Sequence, residues 1–325
     1  MEIGDSRVGG PLVEYSATLL RIHLLGGVRL QRTGAPSSSR LTRKLQGLLA
    51  YLVLHRTRRH SRDAVAALFW GDAPEPKARS CLSTALWRLR KVLEPDGVER
   101  GTYLVARPSG PIGFNADSPY WLDVERLERE AAALRRAADA DSTAELEEAV
   151  RLYRGDLLEG WYDDWALREQ ERVRMLYLGC LRALMRRQER NGDVRKALDS
   201  GMRILARDPL REEIHRAVIG LHLAAGERSL ALRQYERCRR LLAAELDIEP
   251  MPETRALVAR WLRDASPDGA GAAGADHTGQ ALLVPLERAS AALDQARRQV
   301  EVAMSVIRRG RRGPSAVTRS RGPAP

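Results

Sequence analysis

Between residues 77 and 93 the side chains that could do chemistry are cations and small hydroxyls. Arg79, Ser80, Ser83, Thr84, Arg88 and Lys91 recur three and four apart, interleaved with Ala78, Leu82, Ala85, Leu86, Leu89 and Val92. That spacing predicts a helix with one apolar stripe and one polar face. A guanidinium can hold the O6 and N7 of guanine or pair with a phosphate, and Ser and Thr are short enough for close approach to bases. The chemistry is recognition of a nucleic acid rather than bond-making. Trp87 shares the polar face by spacing, but an indole of that size is expected to pack beneath neighbouring chain. A merely solvated helix face has a similar composition, so the distribution of charge has to separate the two readings.

Groups for covalent or metal chemistry do not assemble in the sequence. There is no GxxxxGK[ST] and no GxSxG, and the six His form no HExxH. Cys81, Cys180 and Cys238 are far apart and odd in number, which argues against a disulfide framework or a zinc site and fits a reducing cytoplasm. The expectation is a protein that is not an enzyme and needs no cofactor or metal. No run of 18 apolar residues predicts a membrane span. Glu2, Asp5 and Glu14, with no apolar core among them, do not make a signal peptide. A cytoplasmic location with no membrane partner is expected.

The 325-residue chain carries a net charge of +11, with 54 Lys+Arg against 43 Asp+Glu. Residues 1–122 hold 18 basic and 10 acidic side chains, 123–264 hold 27 and 28, and 265–325 hold 9 and 5. Within 19–93 the imbalance sharpens to 15 basic against three acids, Asp63, Asp72 and Glu75. A folded segment so charged projects a positive field that attracts phosphate backbones.

The elements that must position these groups can be read around them. Residues 19–25 and 28–31 are expected to be strands about Gly26-Gly27, and 34–39 a loop. Residues 41–55 repeat Leu at helical spacing, starting near Arg43 and Lys44. Ser61 is a candidate N-cap for a short second helix through Val65, Leu68 and Phe69, and 71–76 is a turn bearing Asp72 and Glu75. Strands at 103–107 and 112–115 flank Pro108-Ser109-Gly110-Pro111, with Arg107 at the edge of the loop. Three helices followed by a hairpin make a winged helix-turn-helix, whose third helix enters the major groove while the wing lies along the backbone or minor groove.

From residue 123 to 262 the pattern is helical, with segments at 123–138, 144–153, 165–190, 194–206, 210–225, 229–245 and 253–262. Shifted by 34 residues, the chain matches itself: Arg182-Ala183 on Arg216-Ala217, Gly192-Asp193 on Gly226-Glu227, Ala197-Leu198 on Ala231-Leu232. That is the period of tetratricopeptide repeats, paired helices that stack into an array. Trp161 and Trp165 bracket an acidic stretch and are expected to anchor a helix junction.

Read together, these residues resemble a known class. Leu24-Leu25-Gly26-Gly27-Val28-Arg29-Leu30 precedes Arg43-Lys44-Leu45-Gln46-Gly47-Leu48-Leu49-Ala50-Tyr51-Leu52. Leu68-Phe69-Trp70 and Leu86-Trp87-Arg88-Leu89-Arg90-Lys91 follow. The order is similar to the SARP class of OmpR-type bacterial activators. From Trp121-Leu122-Asp123-Val124 through Tyr153-Arg154-Gly155-Asp156-Leu157-Leu158 to Glu245 the chain resembles the bacterial transcriptional activator domain that follows the winged helix there. The resemblance implies sequence-specific binding to double-stranded DNA and recruitment of RNA polymerase. It implies that Arg79, Ser83, Thr84, Arg88 and Arg90 face DNA, Arg90 having an ion pair as its alternative. It also makes 71–76 the polymerase-facing loop. The wing lacks the Gly-Tyr pair common in the class, and no ATPase module is present.

The expected architecture is mainly α: a winged helix (α+β) followed by an all-α tetratricopeptide-like repeat domain. The divisions are a flexible N-terminus at 1–18, the DNA-binding domain at 19–122, repeats at 123–264 and a linker at 265–280. An amphipathic helix at 281–309 and a disordered basic tail at 310–325 follow. The DNA-binding set is Arg43, Lys44, Arg79, Ser80, Ser83, Thr84, Arg88, Arg90, Lys91 and Arg107, with Asp72 and Glu75 toward polymerase. The repeats are expected to carry homo-oligomer contacts or to receive a ligand or protein. The rival reading is a helical-repeat scaffold whose winged helix binds protein; an apolar exposed face on the third helix would favour it.

Overall fold

The computed structural model describes residues 20–32, 41–136 and 143–264. The 34–39 loop, the N-terminal segment, the 265–280 linker, the 281–309 helix and the 310–325 tail read from the sequence all lie outside the described residues. The chain divides into two compact units, the first ending at Ile214 and the second beginning at His215.

In the first unit β1 (Leu20–His23) pairs antiparallel with β2 (Arg29–Arg32) across the Gly26-Gly27 turn, where Gly26 takes φ +77°. Three helices follow: α1 (Arg43–Leu54), α2 (Arg62–Trp70) and α3 (Glu75–Leu93). Leu48, Leu49, Leu52, Val53, Leu82 and Leu89 are buried, so the helical spacing read from the sequence is the core of the trihelical part. Ser61 is the N-cap of α2, although its side chain makes no capping bond. α3 begins earlier than expected. Pro76 sits in its first turn, where a missing N–H costs nothing, so the connecting turn is shorter and Glu75 belongs to the helix. The wing is β3 (Leu104–Ala106) paired with β4 (Ile112–Phe114). The amide of His60 donates to Ile112 O at 2.8 Å and that of Ile112 to His60 O at 2.9 Å, which binds the α1–α2 connection to the wing.

A third strand, β5 (Tyr120–Leu122), runs parallel to β1 and completes a sheet of order β2-β1-β5. It leads straight into α4 (Asp123–Arg136), followed by α5 (Thr143–Leu152), α6 (Asp164–Arg190) and α7 (Val194–Arg207). The buried carboxylate of Asp123 accepts the amides of Leu24, Leu25 and Val124 at 2.9, 3.0 and 2.8 Å. The amide of Gly26 donates to Asp156 O at 3.0 Å, and that of Leu158 to Leu24 O at 3.0 Å. Gly155 stands so close to Gly26 that a β-carbon on it would come 3.0 Å from the Gly26 Cα.

Trp161 and Trp165 are buried, as expected of a junction anchor. The Tyr51 ring of α1 meets Trp165 edge-on at 5.5 Å and packs against His55 and His60 at 4.7 and 4.9 Å. A β-carbon on Gly47 would come 2.7 Å from the Trp161 ring. Arg56 pairs with Glu128 at 2.7 Å, joining α1 to α4.

The second unit contains α9 (Arg228–Leu246) and α10 (Pro252–Asp264), and α8 (Glu212–Ala224) runs into it. Ile219, Ala231 and Val258 form its core, with Leu223, Tyr235 and Leu257 against them. The 34-residue period reappears as backbone geometry. Gly192 and Gly226 take φ +78° and +75°, and each turn is closed by a 2.8 Å bond, Asp193 N to Gln188 O and Glu227 N to His222 O. A residue with a side chain is strained at this φ, so glycine is favoured at both turns.

Candidate nucleic-acid interface

α3 presents Arg79, Ser80, Ser83, Thr84, Trp87, Arg88 and Lys91 to solvent and buries Ala78, Leu82, Ala85, Leu86 and Leu89. The wing loop stands beside it with Arg107 exposed. A groove of about 560 Å³ runs between them, lined by Trp87, Lys91, Arg100 and Arg107. On the other side Arg79, Ser83 and Ser109 border a second groove of about 570 Å³.

Arg62 holds these pieces in register. One guanidinium nitrogen donates to Arg107 O at 3.2 Å and the other to Ser83 Oγ at 3.2 Å, so the start of α2, the middle of α3 and the wing are tied at one point. Ser83 Oγ in turn donates to Arg79 O at 3.0 Å. Sequence reasoning missed Arg62 and Arg100; the place of Arg62, directly after the N-cap of α2, was the available signal for the first.

The cations differ in freedom. Arg88 is exposed and has no ion pair or hydrogen bond among the described residues. Lys91 Nζ lies 4.8 Å from the centre of the Trp87 ring. Arg79 is exposed but paired, with Asp63 at 2.8 Å and with Glu75 one turn before it. Exposed pairs of this kind are weak and yield to a better partner.

Three of the sequence-selected cations turn elsewhere. Arg90 is only 16% exposed; it donates to Leu104 O and Ala106 O at 3.2 and 3.4 Å and pairs with Glu94 at 3.5 Å. The Glu94 carboxylate receives the amides of Gly101, Tyr103 and Leu104 at 3.0, 2.9 and 2.8 Å, so the two side chains fasten the wing to the end of α3. For Arg90 these contacts match the ion-pair alternative. Arg43 lies 4.5 Å from the centre of the Trp161 ring and donates to Gly160 O at 2.6 Å. Lys44 donates to Phe69 O. Both are exposed and make contacts of α1 with neighbouring chain. Trp87 corrects the expectation in the opposite sense: it is 58% exposed instead of packed beneath the wing.

Asp72 is exposed in the short turn between α2 and α3, while Glu75, expected in the same loop, is engaged with Arg79.

Residues 122–262 match the family model of the bacterial transcriptional activator domain. That stretch is similar to the activator domains that the model describes. The chain is 28% identical over 261 residues to the regulatory protein AfsR of Streptomyces coelicolor, covering 79% of this chain and 26% of that protein. It is 28% identical over 251 residues to the transcriptional regulatory protein EmbR of Mycobacterium tuberculosis, covering 74% of this chain and 62% of that protein. The regulatory protein DnrI of Streptomyces peucetius is 26% identical, with 71% of this chain and 88% of that protein covered. These relatives bear out the resemblance to SARP-type regulators. A solved structure of Mycobacterium tuberculosis EmbR in complex with a low affinity phosphopeptide superposes with a TM-score of 0.64 at 24% identity. It covers 86% of this chain and 72% of that one, and it shows the same fold. The chain spans about a quarter of the length of AfsR. The matched stretch begins at Leu122, the residue that ends β5, so the match starts inside the sheet. No helix among the described residues is long and apolar enough to cross a membrane.

Proposed function

We propose that this protein is a transcriptional activator that binds duplex DNA in a sequence-specific manner through α3 and the wing and recruits RNA polymerase. The observation that carries the reading is the exposed face of α3, where Arg88 and Lys91 stand free of acidic partners beside Ser83 and Thr84, with Arg107 across a groove. Seated in the major groove, that face offers Arg88 for bidentate contact with guanine. Lys91 and Arg107 are placed for the flanking phosphates, and Arg79 exchanges Asp63 for a phosphate at small cost. The exposed carboxylate of Asp72 is the polymerase-facing group of the turn. A protein-binding winged helix needs an apolar face on α3; one indole among six polar or charged side chains does not supply it.

The test is selection of preferred sites by the full chain from a random duplex pool, followed by affinity at two salt concentrations. A defined site and a steep loss of affinity with salt are expected. Recovery of no preferred sequence overturns the reading. Transcription from a promoter bearing the selected site, with Asp72→Ala beside the unaltered chain, tests recruitment: binding is retained and activation falls.

A further inference from the structure

Trp87 is a large apolar side chain exposed on the very face that the proposed function turns toward DNA. It lies midway along the exposed face, one turn after Ser83 and one turn before Lys91, with Thr84 and Arg88 beside it. The Lys91 ammonium 4.8 Å from the ring centre keeps the indole associated with that face. It borders the groove shared with Arg107 and Pro108 of the wing, yet more than half of it remains open. Every other exposed side chain between residues 79 and 91 is charged or a hydroxyl.

The edges of the base pairs in the major groove offer hydrogen-bond donors and acceptors and one apolar group, the C5 methyl of thymine. Guanine O6 and N7 match Arg88 and a phosphate matches Lys91; the methyl is what matches an indole. We propose that Trp87 is a specificity-determining residue that reads a thymine by burying its C5 methyl. The inference rests on the reading of α3 as the DNA-contacting helix. It adds an A·T preference at one position to the guanine preference that Arg88 supplies.

The experiment uses the full chain and the site it selects from the random pool. Each thymine in that site is replaced in turn by deoxyuridine, which lacks only the methyl. At one position the substitution is expected to weaken binding about fourfold, the factor for one buried methyl group. Trp87→Ala is expected to bind the thymine and deoxyuridine sites equally, and to lose the A·T preference at that position in a fresh selection. Because the side chain is exposed, the circular dichroism of the variant should match the parent. Equal binding of thymine and deoxyuridine by the unaltered chain at every position overturns the proposal, whereas guanine selection through Arg88 stands. Loss of affinity in Trp87→Ala that is the same for all sequences also overturns it, and assigns the ring to a sugar or phosphate. Failure of the unaltered chain to select any site removes the DNA reading and this inference together.

Discussion

The carboxylate of Asp123 holds the amide of Leu24, 99 residues earlier in the chain, at 2.9 Å with both groups buried. The residue that starts α4 thus satisfies the end of β1, where the sheet leaves two amides without strand partners. Burial raises the Asp123 pKa above its ordinary value, and the amides of Leu25, Leu24 and Val124 work against that shift by favouring the charged form. Removing the side chain leaves buried donors without acceptors. Asp123→Ala is expected to destabilise the first unit by about 3 kcal/mol. Asp123→Asn keeps an acceptor and is expected to cost less. Urea denaturation of the three proteins followed by circular dichroism gives the order; an Ala variant as stable as the parent contradicts it.

Gly47 and Trp161 make a second junction between the winged helix and the repeats. A methyl at position 47 has to displace the indole, so Gly47→Ala is expected to cost about 1–3 kcal/mol through overpacking. In a Trp161→Ala background the same change is expected to cost much less. The double-mutant cycle in thermal melts measures that difference, and additivity of the two changes would argue against the contact.

Arg88 and Arg107 are expected to fail in different ways. Arg88→Ala should relax preference at one base position and cost about 1–3 kcal/mol on the best site. Arg107→Ala should weaken all sequences alike and lower the salt slope by about one. Arg90→Ala, by contrast, should loosen the wing and reduce stability before any specific effect on DNA. Site selection, salt titration and a melt on each variant distinguish the three.

His23, His55 and His60 all have pKa values lowered from 6.5, burial being the largest cause in each. Below that pH the unfolded chain binds protons that the folded chain resists. Stability is therefore expected to be flat with respect to these groups above 6.5 and to fall as pH drops through it toward the folded values. Urea midpoints at about pH 7.5 and about pH 5.5 test the sign. His60→Phe retains a ring against Tyr51 and is expected to reduce the slope; an unchanged slope assigns the effect to other groups.

The helices, the hairpins and the 34-residue period were legible in the sequence because each is written in local spacing: Leu45, Leu48, Leu49 and Leu52 in α1, or Gly192 and Gly226 at matching turns. β5 was not, because three residues carry no periodicity and their partner strand is a hundred residues upstream. The burial of Asp123 was hidden for the same reason, since its partners are backbone amides on β1. The exposed face of α3 was legible as a set, but the direction of each long side chain was not. Arg43 and Arg90 end on main-chain carbonyls, Arg79 on carboxylates and Arg88 on none among the described residues, although all four are arginines on helices.

The contacts that run from Leu24 to Asp123, Gly26 to Asp156 and Gly47 to Trp161 also bear on how such a protein can be rearranged. A DNA reader joined to its effector by a free tether can be exchanged between proteins at the tether. Here a cut after Leu122 discards the acceptor for the β1 amides and the indoles that cover α1, so the transferable part is longer than the winged helix. A chimera that is to carry the proposed DNA specificity to another effector should take residues through the end of α7 at Arg207, a module that includes seven of the ten helices among the described residues.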